Sequence, residues 1–298
     1  MATNGTSNGY KFLIFGNGWV SGLVQEALQK NGDIYEVSKV RIEDREAVLR
    51  ELDTVKPTHV INTAGARGSP NVDWCEDHKD YTVRSNIIGA ATLVDCCFLR
   101  GIHITHFASG CIYDQDEAHP LDGSGFTEDD TPNFWGSFYS YSKLISERVL
   151  KTYPNVLILR LRNPVAADLH PKNFVTKLLG YKKIVNIPNS GSVMTNLVPG
   201  AIILAKHSET GVYNYKTNPG TFTHNEVMGL MKEYVRPSLT WVNFTLDEQS
   251  QVLKAPRSNA KLDSTKLVNK LKEYGYEVLP AHEALVEAFA LMKDKGLQ

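Results

Sequence analysis

Apolar residues fall into two alternating rhythms over the first half of the chain. Tyr10–Phe15 is a short apolar run ending in Gly16-Asn17-Gly18. Residues 19–31 follow with Val20, Leu23, Val24, Ala27 and Leu28 at helical spacing, and the pattern stops near Gly32. The continuous run reads as a buried strand, and the three-to-four-residue spacing as an amphipathic helix. Strand-like runs recur at 34–37, 59–64, 102–108 and 156–161, with helical patterns at 43–53, 82–99 and 139–152 between them. This alternation predicts an α/β fold, a Rossmann-like doubly wound parallel sheet covered by helices on both faces.

The rhythm loosens after Pro164. Residues 165–200 hold Pro171, Pro188, Pro199 and the turn cluster Asn189-Ser190-Gly191-Ser192. Helical segments follow near 196–207 and 224–235, and a loop around Lys254–Asn259 precedes two terminal helices. Ser264 is placed to cap the first of these and Gly275 to end it; the second, near 281–293, carries Leu285, Ala288, Phe289 and Met292 on one face. The expected organisation is a loose polar tail over 1–9 and a dinucleotide-binding domain over 10–164, with part of 196–235 returning to it. A smaller C-terminal substrate-binding cap is expected from 165–195 and 236–298.

Charge and composition narrow the function classes. Lys plus Arg number 32 against 33 Asp plus Glu, so no net field draws the 298-residue chain to nucleic acid or anionic lipid. No run approaches the roughly 18 consecutive apolar residues of a membrane span. The opening MATNGTSNG lacks the apolar stretch of a secretion signal. Cys75, Cys96, Cys97 and Cys111 show no C-x-x-C spacing and predict reduced thiols in a cytoplasmic protein. Without a signal, the glycosylation patterns at Asn4-Gly5-Thr6 and Asn243-Phe244-Thr245 read as chance. His103 and His106 lie three apart on a strand, hence on opposite faces, and no other cluster points to a metal. Glu128-Asp129-Asp130 reads as a solvated acidic loop.

Candidate chemistry gathers at the predicted strand ends. Gly16-x-Gly18-x-x-x-Gly22 joins the first strand to the first helix, where backbone N–H groups, including those of Trp19 and Val20, are placed to meet a dinucleotide pyrophosphate. The spacing departs from G-x-G-x-x-G, with Ser21 where the third glycine belongs. At the end of the second strand Glu36 favours a free ribose 2′-hydroxyl, whereas Lys39 and Arg41 favour a 2′-phosphate. The reading leans to NADPH, with NADH the alternative. Asn62-Thr63-Ala64-Gly65 offers small residues beside which a cofactor can lie, or an ordinary strand-to-loop turn.

Tyr139 and Lys143 stand four apart on one face of a predicted helix, an arrangement in which the ammonium acidifies the phenol and can hold a cofactor ribose. Ser109-Gly110-Cys111 follows the strand 102–108, where ligands bind in an open α/β sheet. Ser109 can donate to a carbonyl oxygen that Tyr139 protonates, and Cys111 lies at the same mouth. Cys96 and Cys97, inside an apolar helix, read as inert.

Together these features resemble an extended short-chain dehydrogenase/reductase. Arg257-Ser-Asn259-Ala-Lys-Leu-Asp263 resembles the C-terminal signature of the dTDP-4-dehydrorhamnose reductase branch. Further motifs resemble the bifunctional nucleotide-rhamnose synthases, which are 3,5-epimerases and 4-reductases: Pro70-Asn-Val-Asp-Trp-Cys75, Asn133-Phe-Trp-Gly-Ser-Phe-Tyr139, Asn173-Phe-Val-Thr-Lys177, Asn186-Ile-Pro-Asn189-Ser190 and Ala255-Pro-Arg257. The glycine turn is one residue shorter than that family's pattern.

The resemblance implies a UDP- or dTDP-linked 4-keto-6-deoxyglucose as substrate, supplied by a separate 4,6-dehydratase. It implies Cys111 and Lys177 as the proton-transfer pair at C3 and C5, NADPH as hydride donor, and pairing into a homodimer through sheet-covering helices. Asn86, Ser109, Gly110, Asn173 and Arg257 are the expected substrate contacts, with a structural bridge the alternative for Asn86. Three other readings stand beside this one. They are a 4-keto-sugar reductase without epimerase activity, a GDP-4-keto-6-deoxymannose epimerase/reductase, which is expected to use histidine where Lys177 stands, and a non-catalytic NADP-binding regulatory subunit.

Overall fold

Phe12–Phe15 are wholly buried, as a strand covered on both faces requires, and in the computed structural model they belong to β1 (Lys11–Phe15). The structure describes residues 9–298; the rest of the expected tail, including Asn4-Gly5-Thr6, lies outside the described residues. β2 (Ile34–Ser38), β3 (His59–Asn62), β4 (His103–Ser109), β5 (Val156–Leu161) and β6 (Gly211–Tyr215) complete a parallel sheet of order 2-1-3-4-5-6. Phe12 registers with Tyr35 on one side and His59 on the other. The chain therefore winds outward through β2 and then reverses at β3, placing a topological switch point at the carboxyl ends of β1 and β3.

The helices are α1 (Trp19–Asn31), α2 (Arg45–Val55), α3 (Trp74–Asp77), α4 (Lys79–Val83), α5 (Ala90–Leu99), α6 (Phe138–Leu150), α7 (Phe174–Leu179), α8 (Met194–Lys206), α9 (His224–Tyr234), α10 (Leu246–Ser250), α11 (Thr265–Glu273) and α12 (Ala281–Asp294). Their ends follow local chemistry. Gly32 closes α1 in the left-handed region at φ 73°, its N–H donating to the Gln29 and Leu28 carbonyls. Asp44 caps α2 by accepting the Ala47 N–H at 3.0 Å. Gly275, at φ 74°, follows the end of α11 as expected. Ser264 stands at the N-cap position of α11, but its hydroxyl is buried without a hydrogen bond, so the expected side-chain cap is not made.

A π-helical turn, Arg84–Gly89, joins α4 to α5 in one helical run. That run, Lys79–Leu99, has 21 residues, and an 18-residue window of it has a mean hydropathy of 1.2, enough by length and composition to cross a membrane. Half of the apolar window is buried, and Leu93, Val94, Cys96 and Cys97 pack into a core with Leu13, Val60 and Ile104. β6 carried no apolar run to predict it. Its Asn214 is buried because its amide donates to the Phe126 and Asp263 carbonyls.

The chain clusters into two compact units. The first holds the described residues through Ala108, Phe138–Leu159 and Ala201–Val212, around the Leu13–Ile104 core. The second holds Ser109–Ser137, Arg160–Gly200 and Tyr213–Gln298. Its core joins Val175 and Leu178 of α7 to Val227 and Met231 of α9 and Leu285, Ala288 and Phe289 of α12. Glu128 belongs to this unit and is not solvated as expected: its carboxylate accepts the Asn214 N–H at 2.7 Å, and burial raises its pKa.

Candidate active site

In the first unit the glycine turn is shaped by the strand beside it. Gly16 sits at φ 98°, and a Cβ there would lie 2.6 Å from the Ala64 backbone nitrogen, so only glycine fits. Gly18 is the extended N-cap of α1, and Trp19 and Val20 open the first turn, where N–H groups have no intrahelical acceptor. Ser21 is fully buried and accepts from the Gln25 side chain at 3.0 Å. The third glycine of the usual fingerprint is thus replaced by a packed serine, while Gly22 borders open space. This turn, the N-terminus of α1 and the adjoining Ala64 fit a dinucleotide pyrophosphate.

Asn62 serves that loop from within. It is wholly buried, donates to His106 Nδ1 at 2.9 Å and accepts the Ala64 N–H at 2.9 Å. Its side chain shapes the turn rather than facing solvent, so any influence of position 62 on a cofactor runs through Ala64. At β2 the expectation needs correction: Glu36 lies mid-strand, registered with Leu13 and paired with Lys11 at 2.8 Å. The carboxyl end is Ser38, and the residues beyond it are Lys39 and Arg41. Arg41 is exposed, pairs with Glu43 at 2.8 Å and donates to Tyr81 Oη at 3.3 Å.

Tyr139 and Lys143 share a face of α6, as their spacing predicts. The N-terminus of α6 is held by α3: the Phe138 N–H donates to Glu76 Oε1 at 2.7 Å. Tyr139 is half-buried, and its carbonyl accepts the Ser142 hydroxyl at 2.7 Å. Lys143 is buried, and burial lowers its pKa to about 8, with Cys75 acting in the opposite direction. A Cβ at residue 65 would lie 3.1 Å from Lys143 Nζ and 3.3 Å from Asn86 Oδ1, so Gly65 makes the room this ammonium occupies. His106 lies close enough for Lys143 to lower its pKa further, after burial, to about 3; the imidazole is neutral and the lysine carries the local charge.

Asn86 takes the structural alternative. On the π-helical turn and buried, it accepts the Ala66 N–H at 2.7 Å, donates to the Ala66 carbonyl at 2.8 Å and donates to Ser142 Oγ at 3.0 Å. It ties the loop after β3 to α6.

In the second unit, Ser109-Gly110-Cys111 forms a tight bend, with the Cys111 N–H donating to Ser109 Oγ at 3.1 Å. Cys111 is the half-buried thiol; Cys75, Cys96 and Cys97 are buried, and burial raises their pKa. Gly110 packs closely on Leu262, whose Cδ1 would lie 2.7 Å from a Cβ there. Lys177 is half-buried on α7. Asn173, expected at the substrate, caps that helix instead. It is wholly buried, accepts the Val175 N–H, and donates to the Ala166 and Asp168 carbonyls at 2.8 Å. Its amide fixes the start of the helix that presents Lys177. Arg257 is half-buried and donates to the Ala255 carbonyl at 2.7 Å.

This combination of a switch-point glycine turn and a buried lysine one turn after a tyrosine is matched by family comparison. The pattern of the NAD dependent epimerase/dehydratase family fits residues 13–186. The chain belongs to that family. Within this NAD(P)-dependent family it is similar to the bifunctional dTDP-4-dehydrorhamnose 3,5-epimerase/dTDP-4-dehydrorhamnose reductase of Arabidopsis thaliana, 46% identical over 91% of each chain. A trifunctional UDP-glucose 4,6-dehydratase/UDP-4-keto-6-deoxy-D-glucose 3,5-epimerase/UDP-4-keto-L-rhamnose-reductase of the same plant is 47% identical over 96% of this chain. The chain spans 43% of that longer protein. Among solved structures of the epimerase/dehydratase family's fold, the L780 UDP-rhamnose synthase of Acanthamoeba polyphaga mimivirus superposes with a TM-score of 0.87 at 34% identity, covering 95% of this chain and 99% of that one.

Proposed function

We propose that the protein converts UDP-4-keto-6-deoxyglucose to UDP-rhamnose by 3,5-epimerisation followed by NADPH-dependent reduction at C4. The observation that carries this reading is the pairing of Tyr139 with a buried, acidified Lys143 in a chain so similar to named epimerase/reductases. The first unit holds the cofactor. The Gly16–Gly18 turn and the α1 terminus take the pyrophosphate, and Lys39 and Arg41, beyond the end of β2, take a ribose 2′-phosphate, which favours NADPH over NADH. When bound, the nicotinamide supplies hydride to C4.

Cys111 and Lys177, the groups for proton transfer at carbon, belong to the second unit. Protons at C3 and C5 are acidic because the C4 carbonyl spreads the resulting charge onto oxygen. Ser109 and Tyr139 donate hydrogen bonds to that oxygen, where charge develops. Cys111 removes the proton at one centre and Lys177 returns one; the pair then stands as thiol and amine, so the roles reverse at the second centre or are reset by proton exchange with solvent. Tyr139 then protonates the C4 oxygen, with Lys143 holding its charge balance. Gly110 and Arg257 line the sugar nucleotide, Arg257 as a donor to the diphosphate. A separate or fused 4,6-dehydratase activity supplies the keto sugar. The protein pairs as a homodimer in the cytoplasm: Ile88, Phe98, Leu99, Tyr141 and Val149 leave apolar surface exposed along the π-helical turn, α5 and α6, and all four thiols are free.

Incubation with UDP-4-keto-6-deoxyglucose and NADPH in heavy water tests the whole reading. The expected product has the L-rhamno configuration with deuterium at C3 and C5. Reduction without deuterium would leave a reductase alone, and no turnover would refute the enzymatic reading.

A further inference from the structure

A guanidinium lies buried beneath the Ser109–Cys111 bend with no carboxylate bonded to it. Arg162 follows β5 and is fully enclosed. Its NH1 donates to the Gly110 carbonyl at 3.1 Å and to Ser258 Oγ at 2.8 Å; its NH2 donates to Asn189 Oδ1 at 2.6 Å and the Ser258 carbonyl at 2.7 Å. Every one of these partners is neutral, and Nε is buried without a partner. Burying such a charge is costly unless an anion or dense hydrogen bonding offsets it. Neutral acceptors orient the group but do not cancel its charge, and arginine does not escape by losing its proton.

Within the second unit two ionisable groups act on this charge, Cys111 and Asp114, and both oppose the lowering of its pKa by burial. Asp114 is already engaged, its carboxylate accepting the Asn259 N–H at 2.7 Å. Cys111 follows directly on the glycine whose carbonyl the guanidinium holds. We propose that Arg162 is a positioning residue for epimerisation: it fixes the bend through Gly110 and keeps a standing positive charge buried beneath the bend that carries Cys111. The inference rests on Cys111 acting as the base, as proposed above.

The test is alkylation of the intact protein by iodoacetamide at near-neutral pH, with Cys111→Ala identifying the Cys111 signal and solvent deuterium entry at C3 and C5 measured in parallel. Arg162→Met is expected to slow Cys111 alkylation by about tenfold, with Arg162→Lys recovering much of it. Asn189→Asp keeps the shape of the side chain and gives the guanidinium a carboxylate, while removing the Nδ2 hydrogen bond to Asn259 Oδ1 at 2.9 Å. It is expected to slow alkylation by roughly fivefold even if Arg162→Met does not fold. A merely structural arginine would tolerate or welcome that carboxylate, so unchanged alkylation in Asn189→Asp overturns the proposal. If Cys111→Ala keeps deuterium entry while Asn189→Asp slows alkylation, the assignment of Cys111 as base fails and the electrostatic role of Arg162 stands.

Discussion

Lys143 in the first unit and Lys216 in the second are two buried lysines whose pKa values burial lowers to about 8. Their surroundings differ. Lys216 Nζ donates to the Thr217 carbonyl at 2.9 Å, the Gly220 carbonyl at 3.1 Å and Asn218 Oδ1 at 3.3 Å, so its three donors hold a loop together. Lys143 Nζ stands over Gly65, where a missing side chain leaves space, and one helical turn from Tyr139. A displaced pKa therefore marks burial in both cases. What separates the two is whether the donors are already spent on the protein or have room for something else.

Substitution at the two lysines should split catalysis from stability. Lys143→Met is expected to lower kcat for 4-keto reduction by about 100-fold or more, checked by NADPH oxidation with saturating keto sugar. Gly65→Ala places a methyl 3.1 Å from Nζ and should cost about tenfold in kcat/KM while leaving the melting temperature nearly unchanged. Lys216→Met strands three acceptors and should cost about 2 kcal/mol of stability in urea titrations, with kcat preserved within about twofold. A large kcat loss in Lys216→Met, or none in Lys143→Met, would erase the distinction.

The two lysines act alike in the pH dependence of stability. Both lysines have folded pKa values near 8 against an ordinary 10.5. Between those values the unfolded chain binds more protons, so stability should rise with pH by up to about 1.4 kcal/mol per unit for each lysine. Below about 8 the penalty for burying both charges is present in full. Urea midpoints across the window should climb in the wild type, and the climb should be about half as steep in Lys216→Met.

The switch-point turn was legible because a buried strand ending in Gly16-Asn17-Gly18 has few ways to continue, and Tyr139 with Lys143 because helical spacing is local. The strand end at Ser38 was not, since Tyr35, Glu36 and Val37 read equally well in either register at an exposed edge. The asparagine amides are spent on backbone: Asn62 on Ala64 and Asn173 on Ala166 and Asp168, close in sequence, and Asn86 on Ala66, the structural bridge that was its alternative reading. Arg162 was missed because its partners lie on loops distant in sequence, although Arg160 and Arg162, two residues apart at the end of an otherwise apolar run, signal charges that must find partners inside.

The π-helical turn at Arg84–Gly89 does two jobs within one helical run. Its widened backbone carries Asn86, whose amide both accepts from and donates to the Ala66 backbone and reaches Ser142 on α6. The residues that follow, Leu93, Val94, Cys96 and Cys97, bury themselves in the sheet's core. One irregular turn thus lets a single helix both seat itself on the sheet and clasp the loop that leaves it.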